Sequence, residues 1–283
     1  MRLRGTLILA ATIAGSLILG MTAIGGTAYA SFKSTTVNPK SNFNSTSLYD
    51  CGKAAQWANA YFHFGYNEDS GSTVIDEGPN KRNGSYIGDV TKRVAGNCAN
   101  SPYISLSTNS GDQVITPQAT GDAPNVFTLE SWFRTTTPGG KIIGWGSAQT
   151  DPSPDGYDRQ IYMADNGQIR YGLYPYDYYS DTQPDQSLIT PGSYNDGKWH
   201  MVATTTGPSG STLYIDGKPI VSDSTMIRGE LNPNGYWRIG FDSNKGWEEA
   251  SVNPYYTGDL DNTSVWYSAL PASTIASHYA AGR

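Results

Sequence analysis

"DGKWHMVATTTGPSGSTLYIDGKPI" runs from Asp196 to Ile220, and its reading decides the fold. Residues alternate in character along Lys198–Thr206, then comes a Gly-Pro-Ser-Gly turn, then a second strand-like run that ends in Asp216-Gly217. At a period of two, Trp199, Met201 and Ala203 share one face, and His200 and Val202 share the other. A catalytic His200 would need a nucleophile, an orienting carboxylate or further metal ligands. The other histidines, His63 and His278, lie far away in sequence, and there is no Gly-x-Ser-x-Gly elbow and no His-x-x-x-His pair. The stretch therefore reads as scaffold, two adjacent antiparallel strands with His200 as a half-core packing residue.

The same texture extends outward. Short runs rich in Tyr, Ile, Val, Thr and Trp alternate with Gly, Pro, Asn and Asp from about Cys51 onward, the pattern of an all-β sandwich. "IYMADNGQIRYGLY" holds Asn166-Gly167 between alternating runs, and "TLYIDGKPI" holds Asp216-Gly217. Both dipeptides suit tight turns with positive φ at the corner. "FTLESWFRT" (Phe127–Thr135) also alternates at period two. One helix is expected, at the C-terminus, opened by Pro271 and closed by Gly282 around "ASTIASHYAA".

Composition narrows the function. The chain has 283 residues, a formal charge of −6, 32 Gly, 16 Pro, 20 Tyr and 7 Trp, and no basic block. Nucleic acid is not an expected partner, and a Tyr-rich, weakly charged surface suits a neutral ligand. Arg2 and Arg4 precede an apolar run from Thr6 to Ile24, and Ala28-Tyr29-Ala30 is a small-x-small cleavage pattern. Residues 1–30 read as a signal peptide and 31–50 as a polar linker, so a secreted or cell-surface location is expected. A membrane partner follows only if the segment is uncleaved and acts as an anchor. Two cysteines, Cys51 and Cys98, form an even count in an exported chain and suggest a disulfide. Closing a loop of about 48 residues would contribute roughly 4 kcal/mol.

"DGKWHMVATTTGPSGSTLYIDGKPI" resembles the central hairpin of laminin-G-like, concanavalin A-like domains. "AYFHFGYNEDSGSTVIDEGPNKRNGSYIGDV" (Ala60–Val90) resembles that family's opening strand and its Asp-containing loop. "FTLESWFRT" resembles its Phe-Thr-x-Glu-x-Trp strand, and "GDLDNTSVWYSALPASTIASHYAAG" (Gly258–Gly282) its closing strand and terminal helix. The matches fall in family order over residues 60–282. They imply one domain, 51–283, folded as a two-sheet antiparallel jelly-roll β-sandwich. Separately, "AYASFKSTTVNPKSNFNS" (Ala28–Ser45) resembles the start of proteins with the signal peptide class of the TasA biofilm-fibre system.

The family resemblance implies a calcium site between the opening loop and the closing strand, with Asp76 and Asp261 as ligands. Ca²⁺ takes six to eight oxygens, and the curved "DEGPNKRNG" loop offers backbone carbonyls. Pro79 stands where the family has Gly, and Asn262 where it has Glu. The alternative is an Asx-type turn in which the Asp76 carboxylate caps backbone N–H groups. The residues themselves suggest a second site in "YGLYPYDYYSDTQPD" (Tyr171–Asp185). Tyr174, Tyr176, Tyr178 and Tyr179 offer rings for the apolar faces of sugars, and Asp177 and Asp181 accept hydroxyl hydrogen bonds. "YDRQ" (Tyr157–Gln160) and "KGWEE" (Lys245–Glu249) are candidates to line the same end. The alternative is that these tyrosines simply tile an exposed strand and its loop. Relatives that hydrolyse glycosides carry a Glu-x-Asp-x-x-Glu strand, which this sequence lacks; Glu130 is followed by Ser131, Trp132 and Phe133. The expected function is non-catalytic recognition of a polysaccharide or glycoconjugate. A structural or adhesive matrix component is the alternative, and a laminarinase-type hydrolase is the third reading.

Overall fold

The structure is a computed structural model that describes residues 57–93, 102–107, 111–119, 121–150, 156–175, 186–231 and 234–282. The expected signal segment, the linker, Cys51 and Cys98 lie outside the described residues. In chain order the strands are β1 (Phe62–Phe64), β2 (Thr73–Val74), β3 (Gly84–Ile87), β4 (Thr91–Arg93), β5 (Tyr103–Leu106) and β6 (Gln113–Ile115). They continue with β7 (Phe127–Arg134), β8 (Lys141–Gly146), β9 (Tyr157–Met163), β10 (Gln168–Leu173) and β11 (Gln186–Ser193). The last are β12 (His200–Gly207), β13 (Gly210–Ile215), β14 (Lys218–Asp223), β15 (Tyr236–Ile239) and β16 (Gly258–Trp266), followed by the helix α1 (Ala272–Ala281).

The strands form two antiparallel sheets. The first runs β14-β13-β12-β7-β16-β5-β4, with β1 also paired to β16. The second runs β11-β10-β9-β8-β15-β6-β3-β2. Nearly all the regular structure is strand, and the jelly-roll sandwich expected from the sequence is what folds. Neighbours distant in sequence, such as β7 beside both β12 and β16, exclude a simple meander.

The opening stretch behaves as its period dictates. Val202 faces the core between the sheets with Leu129, Phe133 and Val265, while Met201 and Ala203 face outward. There they meet Trp132 and Tyr214 under Ile275 of α1, with Trp199 packed at the margin. Asp216 (φ 51°) and Gly217 (φ 74°) both take the left-handed conformation of a type I′ corner. A Cβ on Gly217 would also come within 2.8 Å of Tyr279, because α1 lies directly on this turn. Asn166-Gly167 differs slightly from expectation. Only Gly167 has positive φ, and its N–H closes a four-residue turn onto the Ala164 carbonyl at 2.9 Å. The helix starts and stops where expected: the Thr274 and Ile275 N–H groups bond the Pro271 carbonyl, and the Gly282 N–H bonds those of His278 and Tyr279.

The outer face of the first sheet carries a buried polar row beneath α1. Register places His63 beside Ser264, and Ser264 beside Glu130. His63 Nδ1 lies 2.7 Å from Ser264 Oγ, and His278 Nδ1 lies 2.9 Å from Glu130 Oε2. Two histidines remote in sequence thus meet the same strand row, sealed under the helix and the segment before β1.

Candidate functional site

The outer face of the second sheet is built differently. On β8, Ile143 and Trp145 point into the core, which leaves Gly144 on the outer face. Register sets Arg238 of β15 opposite Gly144, and on the far side Gly172 of β10 opposite Gln160 of β9. Arg170 lies opposite Tyr162. The glycines let neighbouring side chains pack directly against this face. A Cβ on Gly144 would lie 3.0 Å from Gln160 Cβ and 3.3 Å from Lys141 Nζ, and one on Gly172 would lie 2.2 Å from the Trp247 ring.

Trp247 belongs to the connection from β15 to β16, which folds back as a strap over the sheet. Tyr157 donates its hydroxyl proton to the Lys245 carbonyl, and Tyr162 donates to that of Glu248 at 2.8 Å. Arg170 reaches Glu249 at 2.6 Å and Glu248 at 3.4 Å. "YDRQ" and "KGWEE", distant in sequence, are therefore brought together.

Where the strap leaves β15 lies a buried polar cluster. Lys141, Arg238 and Asp242 are fully buried. Arg238 Nη1 is 3.0 Å from Asp242 Oδ1, and Lys141 Nζ is 3.4 Å from Asp242 Oδ2 and donates to the Ser243 carbonyl at 3.0 Å. Burial pushes the Lys141 pKa down to about 8; Asp242 opposes that fall, and the charge of Arg238 adds to it. Gln160 is fully buried and Asn244 is 2% exposed, yet among the described residues neither amide finds a hydrogen-bond partner for its oxygen or its nitrogen.

Asp158 joins this cluster to the end of the sandwich. Its fully buried carboxylate accepts from the N–H groups of Arg159 at 2.6 Å, Tyr174 at 2.8 Å and Glu230 at 2.7 Å, and from Arg159 Nη1 at 2.6 Å. Tyr174 is thereby anchored at the exit of β10. The chain returns at Gln186, which pairs with Leu173. Of the tyrosine-loop candidates, Tyr176, Asp177, Tyr178, Tyr179 and Asp181 lie outside the described residues. Burial, helped by Asp158 and opposed by Arg159, raises the Glu230 carboxyl to about 7 at this same end.

Asp76 and Asp261 flank the end of β1, since Phe64 pairs with Asp76 on one side and with Thr263 on the other. Both aspartates are fully buried. Asp76 Oδ1 accepts from the N–H groups of His63 at 2.9 Å and Gly78 at 2.8 Å, and Oδ2 accepts from that of Arg82 at 2.7 Å. Three amide protons converging on one carboxylate make the Asx-type turn and repel a cation. Among the described residues, no group of three or more His, Cys, Asp or Glu side chains is placed to hold a metal. This donor set does not fit a Ca²⁺ ion at Asp76.

His200 is a brace. Nδ1 lies 2.9 Å from Asp216 Oδ2 and Nε2 lies 3.2 Å from Asp196 Oδ1, with the Tyr194 ring edge-on at 5.1 Å. Asp216 Oδ1 also accepts the Met201 N–H at 3.0 Å, so the pair ties the type I′ corner to β12. Glu130 is turned away from the second sheet, toward His278 beneath α1.

Sequence reasoning missed Lys141, Arg238, Asp242, Gln160 and Asn244 as a group. A signal exists: "KIIGWG" and "YWRIGFD" each set a cation in an apolar, glycine-bearing strand. Such a cation is either solvent-facing or buried with a partner, and only the strap decides which.

Comparison with known families and structures agrees with this architecture. A family model described as the Concanavalin A-like lectin/glucanases superfamily, of the laminin-G type, matches residues 108–276. Comparison with curated proteins gives no match. Among solved structures, the binding domain of Paraclostridial Mosquitocidal Protein 1 is similar at 19% identity and a TM-score of 0.57, covering 78% of this chain and 52% of that one. The binding domain of Botulinum Neurotoxin serotype G is similar at 16% identity and 0.54, covering 78% and 50%. The serotype D ligand binding domain in complex with N-acetylneuraminic acid gives 14% identity and 0.56, also covering 78% and 50%. The chain thus spans about half the length of the structures it matches, and at these identities the likeness is one of fold. With two antiparallel sheets, a terminal helix and a family match over residues 108–276, the chain belongs to the concanavalin A-like lectin/glucanase superfamily.

Proposed function

We propose that this chain is an exported, non-catalytic binding module that recognises a glycan or glycoconjugate at one end and the adjoining outer face of the second sheet. The carrying observation is convergence. Tyr157 holds the strap that bears Trp247, and its neighbour Asp158 anchors Tyr174, the first residue of the tyrosine-rich loop. Aromatic rings and buried hydrogen-bonding groups are thus gathered where sugar faces and hydroxyls call for them. The three solved structures named above are themselves binding domains, one of them in complex with N-acetylneuraminic acid. The fold alone does not dictate a ligand, so the site carries the reading.

Replacing Tyr176 and Tyr178 with Ala tests it. Retention on immobilised polysaccharide is expected to weaken about tenfold, equivalent to about 1.4 kcal/mol, with no release of reducing sugar by either protein. Unchanged retention removes the loop from the site.

A further inference from the structure

We propose that an open cleft bounded by Arg134, Thr136 and Asp259 is a second binding site, which takes a single neutral sugar ring. It lies away from the tyrosine-rich loop and does not depend on that site. β7 begins beside Tyr171, whose ring centroid is 6.5 Å from that of Phe127. It ends at Arg134, roughly 23 Å further along the strand. There the segments that follow β7, precede β12 and open β16 surround a cleft of about 230 Å³. Clefts for drug-sized ligands run from about 300 to 1,000 Å³, so this one suits one ring and not an extended chain.

The walls are tied to one another. The Thr135 hydroxyl donates to the Thr257 carbonyl at 2.6 Å and accepts the Thr137 N–H at 2.9 Å, and the Gly197 N–H bonds the Thr135 carbonyl at 2.9 Å. Bare backbone lets them approach: a Cβ on Gly258 would lie 2.5 Å from the Arg134 carbonyl oxygen. Thr136 and Thr137 line the cleft as exposed residues, with their hydroxyls open to a ligand.

Arg134 and Asp259 supply fixed donors and an acceptor. Register sets them side by side on the outer face of the first sheet, with Ser105 beyond. Arg134 Nε and Nη2 lie 2.8 and 2.6 Å from Asp259 Oδ2, and Ser105 donates to Oδ1. The guanidinium carbon also packs 4.7 Å from the Trp199 ring centroid and 5.1 Å from that of Tyr103. These two half-buried rings meet edge to face at 5.4 Å. A guanidinium held in this way loses little freedom when a ligand binds. Its side chain is still 32% exposed, and Asp259 takes only two of its five N–H donors. Donors, a carboxylate and hydroxyls beside aromatic rings match the hydroxyl edges and the C–H face of a sugar. Asp259 cancels the charge of Arg134, so the cleft favours a neutral ring over an acidic one.

The test uses the full chain, isotope-labelled for NMR, with the methyl glycosides of glucose, galactose, mannose and N-acetylglucosamine, and methyl glucuronide as the acidic comparison. At least one neutral glycoside is expected to shift the amide signals of residues 135–137, 197 and 257–259, and to bind more tightly than the glucuronide. The same shifts are expected in the chain carrying Tyr176→Ala and Tyr178→Ala. Thr136→Tyr fills the cleft from an exposed position and is expected to weaken binding at least tenfold with an unchanged melting temperature. Arg134→Gln removes the donors and is expected to weaken it likewise. Full binding by Thr136→Tyr overturns the proposal, whether or not Arg134→Gln folds. Tighter binding of the glucuronide overturns it too, as do cleft shifts that vanish in the tyrosine double variant. No shift at the cleft with any neutral glycoside overturns this inference alone, because retention on polysaccharide tests the tyrosine-rich loop separately.

Discussion

At the scale of single residues, His200 shows how a side chain suited to chemistry becomes a brace. Its imidazole is shared between Asp216 and Asp196 and touches no nucleophile among the described residues. Burial lowers its pKa, but the hydrogen bonds and charges of Asp216 and Asp196 outweigh burial, so the net shift is upward. A raised folded value means that the charged form stabilises the fold. That contribution is complete below the ordinary histidine value of 6.5 and is lost as pH rises through the higher folded value. Denaturation of His200→Gln beside the parent is expected to show a larger stability gap at pH 5.5 than at pH 8.5, as tested by urea titration at both. A gap independent of pH would show that the imidazole acts by packing alone.

At the scale of elements, α1 is a cover and not an appendage. It seals Trp132, Met201, Ala203 and Tyr214, which the outer face of the first sheet would otherwise expose. Trp132 stacks on Tyr279 with ring centroids 5.5 Å apart, and a Cβ at Gly282 would lie 2.4 Å from the same indole. Ile275 is fully buried at the centre of this contact. Ile275→Ala is expected to destabilise by about 2–4 kcal/mol, read as a lower denaturation midpoint with an unchanged slope. A change below about 0.5 kcal/mol, the size of a surface substitution, would mean that α1 does not pack as described. The strap is also a cover, but it closes over polar groups and Gly172, where burial gives little stability.

At the scale of the whole molecule, backbone N–H groups meet the carboxylate that closes the end of β1. Asp76 is occupied by three backbone N–H groups, and Asn83 Oδ1 in turn accepts the Asp76 N–H at 2.9 Å. Titrating the chain with a calcium chelator is expected to leave the melting temperature unchanged. A drop of several degrees that Ca²⁺ reverses would assign an ion held by loop carbonyls, as the family resemblance suggested. Among the described residues, no helix is long and apolar enough to cross a membrane.

Sequence by itself determined the strands, their faces and their corners, because these rest on local physics. Period-two alternation put Val202 inward and Met201 outward, Asp216-Gly217 took the left-handed corner, and Pro271 and Gly282 bounded α1. The tyrosine-rich loop was recognisable for the same reason, as composition flanking a marked hairpin. Tertiary structure alone decided which long-range neighbours share a face. It joined His63 to Ser264 and His278 to Glu130, and folded Trp247 onto Gly172. It also buried Lys141 and Arg238 against Asp242 of the strap. A polar side chain in a strand reads as solvent-facing until the segment that covers it is known. Here that segment arrives from far along the chain, and its arrival turns Gln160, an ordinary strand amide in the sequence, into a buried one.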